Sequence, residues 1–431
     1  MNKGILRLKP WFLLWSTQSL SALGSAMTNF ALVIWLYQKN GSALETALLS
    51  ICSYAPYVMM SIFAGALSDR WDRKRTMLAC DAAAASCTVI VLVLLKHNML
   101  QPWHMYVINA VNGLMNTVQQ PASEVAATLL VPKEYYQKTA GLRSFSNSLN
   151  TILTPVIATA LYAFAGMGLV ITVDLCTFAL AFCVLAFGIR LPNSTTATEK
   201  AREPVLRSAA TGLRWLRSHT LILKLILFLA FINLVASAHH AALPAMVLSR
   251  SNGGEQVLGW TNSLAGIATL AGSIMVTLLP APKNRIRVIC LSLMLSMSTE
   301  NFLLSVGRTP MIWYIGNILG WLAIPLMNAS LDVVFRTTIP AELQGRVFAC
   351  RNTLQFFTIP LGYLLSGALI DGILEPAMAQ AAATSPAAQL FGTGKGAGAA
   401  AMLMILGACG AAICVVFTVL LRNERWTDTT V

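Results

Sequence analysis

The chain of 431 residues is 56% hydrophobic and 11% charged, with a formal net charge of +13 at pH 7. Ordinary soluble domains are roughly 45–50% apolar and about 25% charged, so this composition excludes a soluble globular protein. A basic excess of this size also raises nucleic-acid binding as a function, and the positions of the charges decide that question.

Twelve apolar stretches recur along the chain, each close to or longer than the roughly 18–20 residues that cross a bilayer. The predicted transmembrane helices span 11–37, 43–67, 76–95, 101–131, 138–165, 167–190, 220–247, 257–279, 286–306, 310–335, 343–371 and 397–421. The first stretch is too long for the apolar region of a signal peptide, and further apolar stretches follow it. The sequence therefore predicts an all-α, polytopic membrane protein with 12 transmembrane helices.

The basic residues are distributed unequally between the two sides of the predicted membrane. With a cytoplasmic N-terminus, the inner segments hold 25 of the 30 Lys and Arg residues. The outer segments hold the remaining five, Lys39, Lys96, Arg250, Arg308 and Lys395. By the positive-inside rule, this predicts a multi-pass protein of the cytoplasmic (inner or plasma) membrane with both termini in the cytoplasm. Because topology accounts for the basic charge, we expect no nucleic-acid partner.

The nine cysteines lie within or at the ends of apolar stretches and show no C-x-x-C spacing. No histidine lies near them at the spacing of a metal site. We interpret them as small buried residues, and we expect no metal and no cofactor.

A long cytoplasmic connection, 191–219, divides the chain into an N-terminal bundle, 1–190, and a C-terminal bundle, 220–431. The second part of this linker places apolar residues among arginines, which is typical of a short amphipathic helix. Such a helix either lies on the anionic lipids of the inner leaflet or is an ordinary solvated linker helix.

The two halves are related by an internal repeat with an offset of 208 residues. This offset aligns Val131-Pro132-Lys133-Glu134 with Ile339-Pro340-Ala341-Glu342, Arg143 with Arg351, and Glu124 with Asp332. Transporter folds are commonly built from such repeats. We therefore predict two pseudo-symmetric six-helix bundles.

The loop after the second predicted helix carries the most specific motif, Gly65-Ala66-Leu67-Ser68-Asp69-Arg70-Trp71-Asp72-Arg73-Lys74-Arg75. Gly65 permits close helix approach, and Asp69 can cap the exposed amides of a neighbouring helix. The pattern G-x-L-x-D-R-x-x-R-K-R resembles the loop signature of the major facilitator superfamily. W-D-R-K-R is similar to the drug:proton antiporter-3, macrolide-efflux-like branch of that superfamily.

Further segments resemble the same branch along nearly the whole chain. They are Gly24-Ser25-Ala26-Met27-Thr28, Gln344-Gly345-Arg346-Val347-Phe348-Ala349 and Glu375-Pro376. The resemblance implies the major facilitator fold and alternating access, without naming a substrate. Two departures are present. The loop at 280–285 lacks an acidic residue, so a degenerate latch is expected there, and Thr154-Pro155 stands where antiporters carry G-P-x-x-G, which leaves the direction of antiport open.

Acidic residues inside predicted helices are candidates for proton coupling, because a buried charge in a bilayer costs at least about 2.5–3.5 kcal/mol. Asp174 lies in the sixth helix and Glu300 in the ninth. Asp174 either carries a coupling proton or is hydrogen-bonded to a neighbouring helix for packing. His239 and His240 in the seventh helix are further candidates, but adjacent residues cannot share one helix face, so only one of them can line a cavity.

Charged residues near the cytoplasmic ends are expected to form latches. In the superfamily, an acid at the end of the fourth helix pairs with the loop arginines, so Glu124 is expected to meet Arg70 or Arg73, and Asp332 to meet Arg285 or Arg287. The first predicted latch comprises Gly65, Asp69, Arg70, Arg73, Lys74, Arg75, Glu124 and Asp81. The second comprises Asp332, Arg285, Arg287, Arg346 and Arg351.

In this fold, the first, fourth, seventh and tenth helices line a central cavity. Here those helices offer Asn29, Trp35, Asn112, Asn116, Asn233, Asn317 and Asn328 among apolar residues. No cation lies deep in them, which disfavours a polyanionic substrate. A neutral or cationic amphipathic substrate fits this lining better.

The chain contains no phosphate-binding loop, H-E-x-x-H or G-x-S-x-G motif, so we do not expect an enzyme or an ATP-driven pump. The leading hypothesis is a monomeric, proton-coupled exporter of an amphipathic drug, macrolide-like compound or natural product. Two alternatives stay open: export of a siderophore, a peptide or a lysolipid, and a membrane sensor that binds a ligand without transport.

Overall fold

The computed structural model describes residues 8–68, 72–132, 135–189, 205–280, 282, 284–340 and 343–422. Within these ranges the chain is almost entirely helical and contains no β-strand. A helix satisfies its backbone N–H and C=O groups internally, which is what an apolar chain requires in hydrocarbon. The predicted all-α class is confirmed.

The described residues of the first part of the chain form five helices. They are α1 Lys9–Asn40, α2 Ala43–Ser68, α3 Arg73–Lys96, α4 Pro102–Leu129 and α5 Tyr136–Cys183, and a π-helical turn, Val184–Gly188, continues α5. At the start of α3, Asp72 Oδ1 accepts a hydrogen bond from Arg75 N at 2.8 Å.

The second part begins with α6 Val205–Ser218, α7 Thr220–Ser249, α8 Glu255–Leu278, α9 Arg285–Val306 and α10 Pro310–Leu322. It continues with α11 Ile324–Thr338, α12 Gln344–Phe356, α13 Thr358–Leu369, the π-helical turn Ile370–Leu374, α14 Glu375–Gln380, α15 Pro386–Phe391 and α16 Ala397–Leu421. Asn284 caps α9 by accepting a hydrogen bond from Arg287 N at 2.9 Å. The loop at 280–285, which lacks an acidic residue, therefore supplies a neutral helix cap.

Ten stretches of the described chain are long and apolar enough to cross a membrane. One of them, Leu142–Gly188, corresponds to the predicted fifth and sixth helices. The backbone of α5 leaves the helical region at Ala165 and at Gly166, where φ is +71°, a conformation that glycine adopts without steric cost. The predicted fourth helix coincides with α4, which is not one of the ten. The count of twelve therefore remains a prediction.

The chain forms two compact units by its internal contacts. The first unit comprises Met1–Trp35 with Cys52–Val205, and the second comprises Leu36–Ile51 with Leu206–Val431. The segment Leu36–Ile51 therefore belongs with the C-terminal helices. The domain bounds predicted from the sequence, 1–190, 191–219 and 220–431, remain a prediction.

The linker contains the predicted amphipathic helix, α6. Leu216 on this helix is fully buried. A Cβ atom on Gly212 would lie 2.8 Å from the backbone oxygen of Arg346 in α12. One face of α6 therefore packs on α12 within the second unit.

Close packing in the first unit depends on Gly113 of α4. A Cβ atom there would lie 2.2 Å from the backbone oxygen of Ser53 in α2, so the two helices touch through their backbones.

We predict that Gly113→Ala lowers the thermal unfolding midpoint, because overpacking of rigid backbone costs about 1–3 kcal/mol. Gly168→Ala in the same unit is the matched control, since no atom lies within 4 Å of its added Cβ. Equal midpoints for the two detergent-solubilised variants would contradict the packing described.

Candidate functional site

The first unit encloses a cavity of about 650 Å³. Its walls come from α1, α3, α4 and α5. The polar residues of the wall include Gln18, Asn29, Asp81, Gln119, Arg143 and Asp174. Two carboxylates and one guanidinium therefore face a space that is large enough for a drug-sized molecule.

Asp81 of α3 is held at the cavity wall by two amides. Its carboxylate accepts hydrogen bonds from Gln119 Nε2 at 2.5 Å and from Gln18 Nε2 at 3.5 Å. From its position in the sequence, Asp81 is expected in the cytoplasmic latch. In the structure, its hydrogen-bond partners lie on α1 and α4, so this carboxylate belongs to the cavity.

Asp174 of α5 is buried against α1, with 4% of its surface exposed. Its Oδ1 accepts from Ser25 Oγ at 3.1 Å, and its Oδ2 accepts from Thr28 Oγ1 at 2.8 Å. Gly24 allows this approach, since a Cβ there would lie 3.0 Å from Asp174 Cα. Asp174 thus ties α5 to α1 through two hydrogen bonds, and it also lines the cavity.

Two buried polar atoms of the cavity residues have no hydrogen-bond partner among the described residues: Trp15 Nε1, a donor, and Asn112 Oδ1, an acceptor. An unsatisfied buried polar group costs about 1–3 kcal/mol. Both residues line the cavity, so two polar groups without described partners lie beside this space.

The structure separates the predicted cavity residues. Asn29, Asn112 and Asn116 line the cavity of the first unit, whereas Trp35 is not part of its wall. Those of the second unit have other environments: Asn233 Nδ2 donates to Gln355 O at 3.0 Å, Asn317 Nδ2 donates to Trp313 O at 3.3 Å, and Asn328 is exposed. Sequence reasoning missed Trp15, Gln18 and Gln119, which only their helix positions relative to Asp81 and Asn112 could have indicated.

The second unit contains a buried polar cluster formed by His239 of α7, Glu300 and Asn301 of α9, and Trp321 of α10. Glu300 and His239 are 3% and 5% exposed. His239 Nε2 lies 3.4 Å from Glu300 Oε1, which also accepts from Trp321 Nε1 at 3.0 Å. A Cβ on Gly320 would lie 2.6 Å from Glu300 Oε2, so glycine leaves room for the carboxyl group.

The hydrogen bonds of this cluster indicate which ring nitrogen of His239 carries the hydrogen. Asn301 Nδ2 donates to Met297 O at 2.7 Å, which turns Asn301 Oδ1 toward His239 Nδ1 at 2.9 Å. Because Oδ1 can only accept, Nδ1 carries a hydrogen. In neutral His239, Nε2 is then an acceptor that faces another acceptor, Glu300 Oε1. A proton on either of these two atoms would replace the repulsion by a hydrogen bond.

His240 does not belong to this cluster. Its side chain is exposed, and its ring centre lies 5.7 Å from that of His239 and 6.2 Å from that of Trp321. The two adjacent histidines thus lie on different faces of α7.

The predicted cytoplasmic latch is only partly within the described residues. Asp69 and Arg70 lie outside them, as does the side chain of Glu124, while Gly65 falls on α2. Lys74 Nζ donates to the backbone oxygens of Ala186 and Ile189 at 2.8 and 2.7 Å, where α5 and its π-helical turn end. A cation at a helix C-terminus is favourable, so Lys74 fixes α3 to the end of α5.

In the predicted second-half latch, Asp332 pairs with a residue of its own helix. Its Oδ2 lies 2.7 Å from Arg336 Nε, and both side chains are exposed. The described salt bridges do not join Asp332 to Arg285 or Arg287. The guanidinium of Arg351 lies over the rings of Phe335 and Phe348, at 5.1 and 5.6 Å.

We predict that Thr28→Val destabilises the first unit by about 1–3 kcal/mol, because Asp174 Oδ2 loses its donor in a buried site. Thr172→Val is the matched control, since its hydroxyl is exposed and bonds only to Gly168 O of its own helix. The thermal midpoints of the two variants measure the difference, and a midpoint for Thr28→Val equal to that of the control would refute the role of this hydrogen bond.

Comparison with known proteins agrees with this architecture. A sequence model of the major facilitator superfamily matches residues 14–363. Macrolide efflux protein A of Streptococcus pyogenes is 24% identical over 366 residues, which are 84% of this chain and 90% of that protein. The multidrug efflux pump Tap of Mycolicibacterium fortuitum is 23% identical over 363 residues, 81% of this chain and 86% of that protein.

Solved structures share the fold. A bacterial homologue of the human lysosomal transporter Spinster superposes with a TM-score of 0.66 at 14% identity, covering 100% of both chains. The nucleoside transporter NupG gives a TM-score of 0.63 at 13% identity, covering 96% of this chain and 100% of that one. The predicted family and fold are confirmed: the chain is a multi-pass membrane transporter that belongs to the major facilitator superfamily.

Proposed function

We propose that this protein exports an amphipathic small molecule in exchange for protons, by alternating access. The observation that carries the proposal is the cavity of the first unit, which combines two carboxylates with unsatisfied polar atoms of Trp15 and Asn112. Relatives named as macrolide and multidrug efflux proteins support the export direction. The charge distribution supports a cytoplasmic membrane location with both termini inside, and we propose a monomer.

The charge of the cavity favours a neutral or cationic substrate. Asp81 and Asp174 face the space with one cation, Arg143, so a polyanion would meet net negative charge. Asp81 is held by two amides and no hydroxyl. Amide donors can turn toward other acceptors when a cationic ligand takes their place, so we assign Asp81 to substrate recognition.

We assign proton coupling to the Glu300–His239 pair. Loss of the shared proton leaves two acceptors 3.4 Å apart in a buried site, where repulsion is strong because the surroundings are apolar. The pair must then separate or rotate, which shifts α7 relative to α9. The protonation state of the pair thereby biases the conformation of the second unit. Asp174, the other candidate, already has both oxygens satisfied by hydroxyl donors.

The first test uses purified protein in liposomes with an imposed pH gradient. A labelled macrolide and labelled tetraphenylphosphonium are the probes, and each should accumulate against its own gradient only while the pH gradient lasts. Accumulation that is unaffected by a protonophore would refute proton coupling. Absence of movement for both probes, with binding intact, would favour the sensor alternative.

The second test separates the two candidate acids. We predict that Glu300→Gln retains exchange of probe across the liposome membrane but loses pH-driven accumulation by about tenfold or more, because the amide cannot release a proton. Thr299→Ala, a half-buried neighbour on α9, is the control. If Asp174→Asn loses accumulation while Glu300→Gln keeps it, the coupling site is Asp174 and our assignment is wrong.

A further inference from the structure

The N-terminus of α2 is capped by the carboxylate of Asp371, which is far from α2 in the sequence. Asp371 Oδ2 accepts from Ser42 Oγ at 2.6 Å and from Leu44 N at 2.9 Å, and Oδ1 accepts from Ala43 N at 3.0 Å. The first-turn amides of a helix have no intrahelical partner, and negative charge is favourable there. Ser42 also accepts from Glu45 N at 3.0 Å, so the helix start has two caps that are linked to each other.

The helix that carries Asp371 touches α2 through its backbone. A Cβ atom on Gly367 would lie 2.6 Å from Leu44 Cα, which only glycine tolerates. Asp371 then lies on the π-helical turn Ile370–Leu374, and such turns often occur at functional positions. The turn and the glycine together bring the carboxylate to the start of α2.

The end of α1 is also held by hydrogen bonds to helices of the second unit. Tyr37 OH donates to Ala245 O at 3.0 Å and lies 2.5 Å from Ser249 Oγ. Ala245 and Ser249 both lie at the end of α7. Gln38 donates to Glu255 at the start of α8. These contacts explain why Leu36–Ile51 belongs to the second unit while the rest of α1 and α2 belongs to the first.

We propose that Asp371 forms a reversible outer latch, which fixes the segment Leu36–Ile51 to the second unit while the outer side is closed. The inference rests on the proposed alternating access and on the orientation predicted from the basic residues. The segment is joined at both ends to parts of α1 and α2 that belong to the first unit. In this proposal the segment moves with those parts when the outer side opens, and that movement breaks the Asp371 cap. Water can replace the carboxylate at a helix start, so the latch can open and close in every cycle.

The test measures access from outside to a buried position on the latched segment. Thr46 is 4% exposed, and Thr46→Cys conserves its size. In a background without the nine native cysteines, whole cells are treated with a membrane-impermeant maleimide. We expect Asp371→Ala and Gly367→Ala to raise the labelling rate about fivefold or more, which is the effect of losing a typical helix cap.

Two matched variants control for general loosening. Gly372→Ala adds a Cβ with no atom within 4 Å. Glu375→Gln changes an acid that caps α16 through Gly396 N and Ala399 N, at 2.9 and 3.2 Å. Both should keep the labelling rate of the parent. Equal rates in Asp371→Ala and the parent, or an equal rise in all four variants, would overturn the latch.

Hydrogen exchange of the amides at 43–46 provides a second measurement that needs no cysteine. These amides should lose protection in Asp371→Ala and keep it in Glu375→Gln, and unchanged protection in Asp371→Ala would also overturn the proposal. Neither readout depends on substrate, so a protein that transports neither probe but shows these changes would refute the proposed function and leave the latch contact standing. Labelling from the cytoplasmic side alone would refute its outer location.

Discussion

A polar side chain buried among apolar helices has to find a partner, and the partners in this sequence determine how its helices pack. Asp174 takes two hydroxyl groups from α1, and Glu300 takes the ring nitrogens of His239 and Trp321. Asp371 takes the first amides of α2. Leaving Asp174 or Glu300 unpaired in its buried site would cost several kcal/mol, and loss of a helix cap such as that of Asp371 costs about 1 kcal/mol, so each one fixes the approach of two helices.

The three carboxyl groups differ in whether their hydrogen-bond partners allow a shared proton or replacement by water. The donors to Asp174 are hydroxyl groups whose hydrogen bonds do not require a shared proton. Asp371 accepts from two backbone amides and the Ser42 hydroxyl at a helix start, where water can replace the carboxylate. Only Glu300 faces an imidazole whose other nitrogen is committed as a donor to Asn301. Because that geometry can hold one proton, we propose it as the place where the second unit responds to the proton gradient.

Hydrophobicity alone predicted much of the fold, because a stretch of apolar residues in a membrane has few alternatives to a helix. It could not predict breaks inside a stretch. The predicted tenth helix divides into α10 and α11 at Ala323, and the predicted eleventh divides into α12 and α13 at Phe357. Pro325 and Pro360 lie just beyond these points, and proline removes a backbone donor there. The membership of Leu36–Ile51 in the second unit depends on contacts far apart in sequence, which no local pattern indicates.

The candidate site was predictable where a titratable residue, or an asparagine of a helix expected to line the cavity, stood out in an apolar helix. Asp174, Glu300 and His239 were found in this way, whereas the amides that hold Asp81 and the indole of Trp15 look like ordinary polar residues of a helix.

The most direct test of the account measures proton release from the purified protein in weakly buffered detergent solution. With a labelled macrolide and tetraphenylphosphonium as ligands, binding of either one should release close to one proton from the parent protein and none from Glu300→Gln. Equal release from both proteins, or ligand binding with no release from the parent, would contradict a proton shared by Glu300 and His239 as the coupling element.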